Sequence, residues 1–148
     1  MDDVEYVYTT GVPEDELEEL LDEQGHGTLA LADGNDAYAV PLNYHYDGSR
    51  FVIRMSDEPG STKVEYAETT DTATFVVYEF DEETTSSWSV VIRGRIDCLP
   101  QEEQDEYTDT RLNELFPPFR LFDEAVPEVE MVLYELEPIE ITGRRTVE

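Results

Sequence analysis

P-L-N-Y-H-Y-D-G-S-R-F-V-I-R-M-S-D-E-P-G-S-T-K, running from Pro41 to Lys63, is the stretch on which the reading of the fold turns. Two apolar-alternating runs flank Asp47-Gly48, a pair that tolerates the backbone of a tight turn, so the stretch predicts a β-hairpin. After the second strand, Ser56-Asp57-Glu58-Pro59-Gly60-Ser61-Thr62 leads into a predicted helix over Ser61–Glu68 and delivers Lys63, the only lysine of the chain. Backbone N–H groups, hydroxyls and an ammonium gathered at a helix start suit a phosphate.

Working outward, Pro13 fits the first position of a helix reaching Gln24, with Glu14, Asp15 and Glu16 in the turn where the dipole favours anions and Gly25 to end it. Leu17, Leu20 and Leu21 form its apolar stripe. An extended Val4–Thr10 segment precedes it. Strand-like runs follow at Gly27–Ala32, Ala37–Tyr46, Arg50–Met55, Thr72–Phe80 and Trp88–Leu99. A helix is predicted from Pro100 to about Leu115, then a Phe116-Pro117-Pro118-Phe119 loop with Phe122 close by, then a last strand Val129–Thr142 interrupted by Pro138. Six strands joined by short antiparallel connections would leave edges exposed unless they close on themselves. The expectation is a mainly β fold, a single barrel domain over residues 1–148 with a few helices.

The faces can be assigned too. Tyr38, Val40, Leu42, Tyr44 and Tyr46 share one face of their strand, and Pro41, Asn43 and His45 the other. Phe51, Ile53 and Met55 oppose Val52, Arg54 and Ser56; Trp88, Val90 and Ile92 oppose Ser89, Val91, Arg93 and Arg95. Pro41 cannot donate to a ladder and marks an edge, bulge or opening.

Composition excludes several functions. Asp and Glu number 37 against nine Lys plus Arg, a net charge of −28, yet 39% of residues are hydrophobic. Acid spread over an ordinary apolar core argues for a folded protein that works in molar salt, as in salt-loving archaea, where the Debye length is about 3 Å. A nucleic acid or an anionic membrane surface needs a basic stripe, and none exists. No apolar run approaches the ~18 residues of a membrane span and the first residues are acidic, so a cytoplasmic location is expected. Cys98 stands alone, a buried strand thiol by expectation. His26 and His45 are too few for a metal site, and Asp33-Gly34-Asn35-Asp36 reads as a turn rather than a calcium loop.

Other motifs fall into order with the hairpin. Gly25-His26-Gly27 is followed by T-L-A-L-A, A-Y-A-V-P-L-N-Y-H-Y-D-G, F-V-I-R-M-S-D-E-P-G-S-T-K, A-T-F-V-V-Y-E-F and S-W-S-V-V-I-R-G-R-I. From Pro13 to Ile96 this succession resembles the pyridoxamine 5′-phosphate oxidase-like flavin-binding split barrels, particularly their nitroimidazole-reductase-like branch. The resemblance implies a six-stranded antiparallel Greek-key barrel that forms a homodimer, with FMN at the subunit interface and a small-molecule redox substrate. It maps the flavin phosphate onto Lys63, with Arg54, Met55 and Ser56 on the preceding strand. The ring edge maps onto Pro41, Leu42, Asn43 and Tyr44, partly through backbone groups, and Trp88 and Ser89 approach the cofactor from the S-W-S-V strand. Gly60-Ser61-Thr62-Lys63 is one residue longer than the commonest form of this loop, and the residues that hold pyridoxal phosphate in the true oxidases have no match. Oxidation of vitamin B6 is therefore not implied.

Ordinary roles stand beside each of these. Lys63 and Arg54 are the best pair of cations for a dianionic phosphate, but each also suits a surface ion pair. Trp88 has a large surface to bury in any event. Arg93 and Arg95 suit neighbouring glutamates, and Arg144 and Arg145 suit the chain end. The functional expectation is an FMN-dependent oxidoreductase. A non-catalytic flavin-binding or storage protein is the alternative, as is a relative using a deazaflavin or haem.

Overall fold

The structure, a computed structural model, describes residues 9–56, 62–107, 114 and 131–146. Its elements are β1 (Thr9–Gly11), α1 (Glu14–Glu23), β2 (His26–Asp33), β3 (Asp36–Tyr46), β4 (Phe51–Ser56), α2 (Thr62–Thr69), β5 (Ala73–Asp81), β6 (Ser86–Cys98), α3 (Gln101–Asp105) and β7 (Met131–Thr146). All strand pairs are antiparallel, in the order β7-β4-β3-β2-β5-β6, and β6 pairs back onto β7. The predicted barrel is therefore closed by six strands. Short β1 adds a seventh strand by pairing with the end of β7, from Thr9↔Thr146 to Gly11↔Arg144.

The closing strand differs from expectation. Rather than breaking at Pro138, β7 runs on for 16 residues, pairing with β4 through Met131–Leu136 and with β6 through Tyr134–Arg145. A register shift opposite Arg93/Gly94 absorbs Pro138, which has no N–H to give a ladder. Gly94 makes the close approach feasible, because a Cβ there would collide with the Glu137 carbonyl.

Inward positions follow the period of two. Val40, Leu42, Tyr44, Phe51, Ile53, Met55, Phe75, Val77, Val90 and Ile92 are buried in one core. The Tyr44 ring meets Phe75 edge-on at 5.3 Å, and Phe51 stacks on Tyr46 at 4.5 Å. Val52, assigned to the opposite face, is nonetheless buried, because Leu99, Leu133 and Tyr107 form a smaller apolar cluster over it.

Three helices, α1, α2 and α3, pack on the barrel among the described residues. α1 is seated by Leu17 and Leu21, by the Tyr44 hydroxyl donating to the Leu21 carbonyl at 2.7 Å, and by the Arg145–Glu16 ion pair. α2 lies against β2: the Thr70 hydroxyl accepts the Ala32 N–H at 2.9 Å, and the Tyr66 hydroxyl donates to Asp36 at 2.7 Å. α3 is tied by Gln104, which donates to the Leu99 carbonyl, and by Glu103, which shares Arg50 with Glu135. These carboxylates, Glu135 foremost, push the Arg50 pKa up against the effect of burial.

Cys98 is exposed rather than buried: it shares the parity of buried Val90, Ile92 and Ile96 but is the last residue of β6. The predicted third helix beyond residue 107 lies outside the described residues, apart from helical Glu114, as do the Phe116–Phe122 loop and the Asp57–Ser61 segment. No helix among the described residues is long and apolar enough to cross a membrane.

Candidate functional site

The β3–β4 hairpin also opens the barrel wall. β3 pairs with β4 from Tyr46↔Phe51 to Asn43↔Arg54, and the ladder stops there. Beyond it, among the described residues, β3 from Leu42 back to Asp36 pairs only with β2, while Met55 and Ser56 pair only with β7. One edge of β3 thus carries backbone groups with no β4 partner at Pro41 and Leu42, and backbone polar groups require partners. α2 covers the far end of this opening, with Tyr66 against Tyr38 at a ring separation of 5.2 Å. Lys63, half-buried, stands in the first turn of that helix.

The turn that sets the register is built by Asp47. Its carboxylate accepts from the Ser49 and Arg50 N–H groups at 2.9 Å, and Gly48 takes the positive φ of 98°. Burial alone would raise the Asp47 pKa, but those bonds and the Arg50 charge outweigh it and hold the carboxyl below its ordinary value.

On the outer face the register sets three polar side chains in a row across three strands: His26 opposite Asn43, and Asn43 opposite Arg54. The Asn43 Oδ1 is buried and accepts no hydrogen bond among the described residues. Arg54 is half-buried, and burial lowers its pKa. Its neighbours in the row, Asn43 and Leu133, are uncharged. His45 lies one step along the same face, opposite Val52.

The ten predicted site residues divide accordingly. Pro41, Asn43 and Arg54 face outward at the opening. The side chains of Leu42, Tyr44 and Met55 point into the core, so only their backbones can reach a ligand. Burial, with Asp22 nearby, pushes the Tyr44 hydroxyl pKa well up, as befits a structural tyrosine. The Ser56 backbone ends β4 beside the opening. Trp88 packs against the core and Ser89 pairs with Tyr78 and Arg144, on a strand that meets neither β3 nor β4. One chain therefore does not bring these two to the opening. His26 was not among the predicted site residues, since only the β2–β3 register places it beside Asn43. Arg93 and Arg95 stand opposite Glu140 and Glu137 in the β6–β7 register. Among the described residues no cluster of three or more His, Cys, Asp or Glu is placed to hold a metal ion.

Comparison with solved structures gives the same architecture. An FAD-binding protein from Mesorhizobium loti aligns with a TM-score of 0.71 at 21% identity, over 94% of this chain and 99% of that one. A candidate 5-nitroimidazole antibiotic resistance protein from Bacteroides thetaiotaomicron aligns at 0.67 and 16% identity, over 95% and 91%. An FAD and heme binding protein from Mycobacterium smegmatis aligns at 0.69 and 16% identity, over 95% and 74%. At these identities the likeness is one of fold. Comparison with curated proteins gives no match. The pyridoxamine 5′-phosphate oxidase family model matches residues 13–145, nearly the whole barrel with α1 in front of it, and the chain belongs to that family.

Proposed function

We propose that this chain is a flavin-binding protein, specifically an FMN-dependent oxidoreductase acting on a small-molecule redox substrate. The observation that carries the reading is the interrupted β3–β4 ladder, with a β3 edge at Pro41–Leu42 that has no strand partner among the described residues, and Arg54 and Lys63 on the two elements beside it. A flavin fits the residues present. Its ring carries hydrogen-bonding edges that an open strand can serve, and the buried Asn43 Oδ1 gains the donor it lacks. Lys63, at the start of α2, is the cation for the phosphate; Arg54, in register with Asn43, supplies positive charge nearer the ring. Bound flavin supplies the electron transfer, and the chain orients it, satisfies its polar edges and shields it from water.

The homodimer belongs to this proposal. Tyr78 and Phe80 are 62% and 59% exposed on the outer face of β5, large apolar surfaces beside Ser89. A second copy covering them would also bring Ser89, on the same outer face, and the strand end that carries Trp88 toward the neighbouring opening. The charge of −28 suits a molar-salt cytoplasm.

Titration in molar salt tests the reading. FMN should bind more tightly than riboflavin, and Lys63→Ala should weaken FMN by about 1–3 kcal/mol while leaving riboflavin unchanged. Equal FMN affinity in the variant would move the phosphate elsewhere. Steady-state reduction of a nitro or quinone acceptor with a nicotinamide donor separates an enzyme from a flavin carrier.

A further inference from the structure

We propose that His26, Asn43 and Arg54 form a donor–acceptor–donor row that grips the imide edge of the bound ring, which makes His26 a positioning residue that tunes the cofactor. The proposal rests on the flavin reading above and adds which atoms hold the ring and by which edge. An imide presents acceptor, donor, acceptor: two carbonyl oxygens flanking an N–H. The row presents the complement. Asn43 contributes the buried Oδ1 that accepts nothing among the described residues, and its cross-strand neighbours on either side both carry N–H donors.

Reach and tautomer are compatible with this. The three residues stand one strand apart, about 4.8 Å per step, so the two donors start from backbones about 9.6 Å apart, and both side chains are long enough to converge on a ring edge centred over Asn43. The Gln24 amide nitrogen lies 3.5 Å from His26 Nε2 and also donates to the Tyr78 carbonyl at 3.3 Å. With Nε2 as the acceptor of that contact, the ring proton of His26 sits on Nδ1, as a donor. Arg54 is a donor in any tautomeric state. Both donors favour the reduced ring, which carries more negative charge on its pyrimidine side than the oxidised one. The same edge is shared by riboflavin, FMN, FAD and a deazaflavin, so the row reads the ring and leaves the tail to Lys63. Haem has no such edge.

The test uses riboflavin and 3-methylriboflavin, in which a methyl replaces the imide N–H, titrated by fluorescence quenching against the whole chain in molar salt. The wild-type protein should bind the methyl analogue about tenfold more weakly or worse, from the loss of one buried hydrogen bond. Asn43→Ala should reduce that preference to about twofold. His26→Ala should weaken the reduced flavin relative to the oxidised one by about tenfold, read as a lower midpoint potential, and His26→Gln, which keeps a donor, should recover most of it. Equal binding of the two riboflavins by the wild type overturns the row while leaving the flavin reading intact. So does an unchanged potential in His26→Ala. Failure of every flavin to bind overturns both.

Discussion

Tyr44 and Asn43 are adjacent in sequence and opposite in role, because successive strand residues face opposite sides of the wall. The Tyr44 ring is 2% exposed, and its hydroxyl joins β3 to the last turn of α1. Tyr44→Phe deletes one buried hydrogen bond and leaves the Leu21 carbonyl short of a partner. Chemical denaturation should show a loss of about 1–2 kcal/mol. Flavin affinity should not change, since the hydroxyl points away from the opening. A variant as stable as the wild type but weaker for flavin would put Tyr44 in the binding site instead.

At the scale of elements, β7 is the strand that turns a sheet into a barrel. It does so by serving β4 with its first residues and β6 with the rest. The crossing depends on Gly94, where the β6 backbone passes so close to Glu137 that only hydrogen fits. Gly94→Ala should cost about 2–4 kcal/mol, because backbone rather than a flexible side chain must yield. Thermal unfolding measures it, and a change within 0.5 kcal/mol would mean that the bulge is soft. Gly27→Ala is a milder companion: its Cβ would lie 2.7 Å from the Val76 carbonyl oxygen, at an early position in β2. The opening beside β3 is likewise an element-scale feature. It exists because β4 leaves β3 after Arg54 and follows β7, while α2 covers only the far end.

For the whole molecule, charge dominates. A net −28 on 148 residues repels itself strongly when the Debye length is about 10 Å, at 0.1 M salt, and much less at about 3 Å, in 1 M salt. Thermal stability should rise steadily with potassium chloride into the molar range. A protein whose stability fell with salt would be held together by its ion pairs, such as Arg50 with Glu103 and Glu135, more than it is strained by repulsion. Association obeys the same balance, since two such chains meet only when screened. Sedimentation in molar salt should give a dimer, and Phe80→Asp combined with Tyr78→Asp should give a folded monomer with weakened flavin binding. A double variant that remains dimeric would place the interface on another face.

Most of the barrel was legible along the chain because alternation of apolar and polar residues is a local signal. It marked the six barrel strands, their inward faces and the helices started by Pro13 and Pro100. Turn chemistry at Gly34 and Asp47-Gly48 added the hairpins. Register was not legible, and the site depends on it. Only the folded pairing shows that the β3–β4 ladder ends at Asn43↔Arg54, that His26 stands beside Asn43 and that Trp88 lies on a strand remote from both. Pro138 misled for the same reason, since its missing N–H is harmless only where Gly94 lets a bulge form across the sheet. Local sequence decides which way a side chain faces, whereas what it faces is set by contacts between segments far apart in the chain.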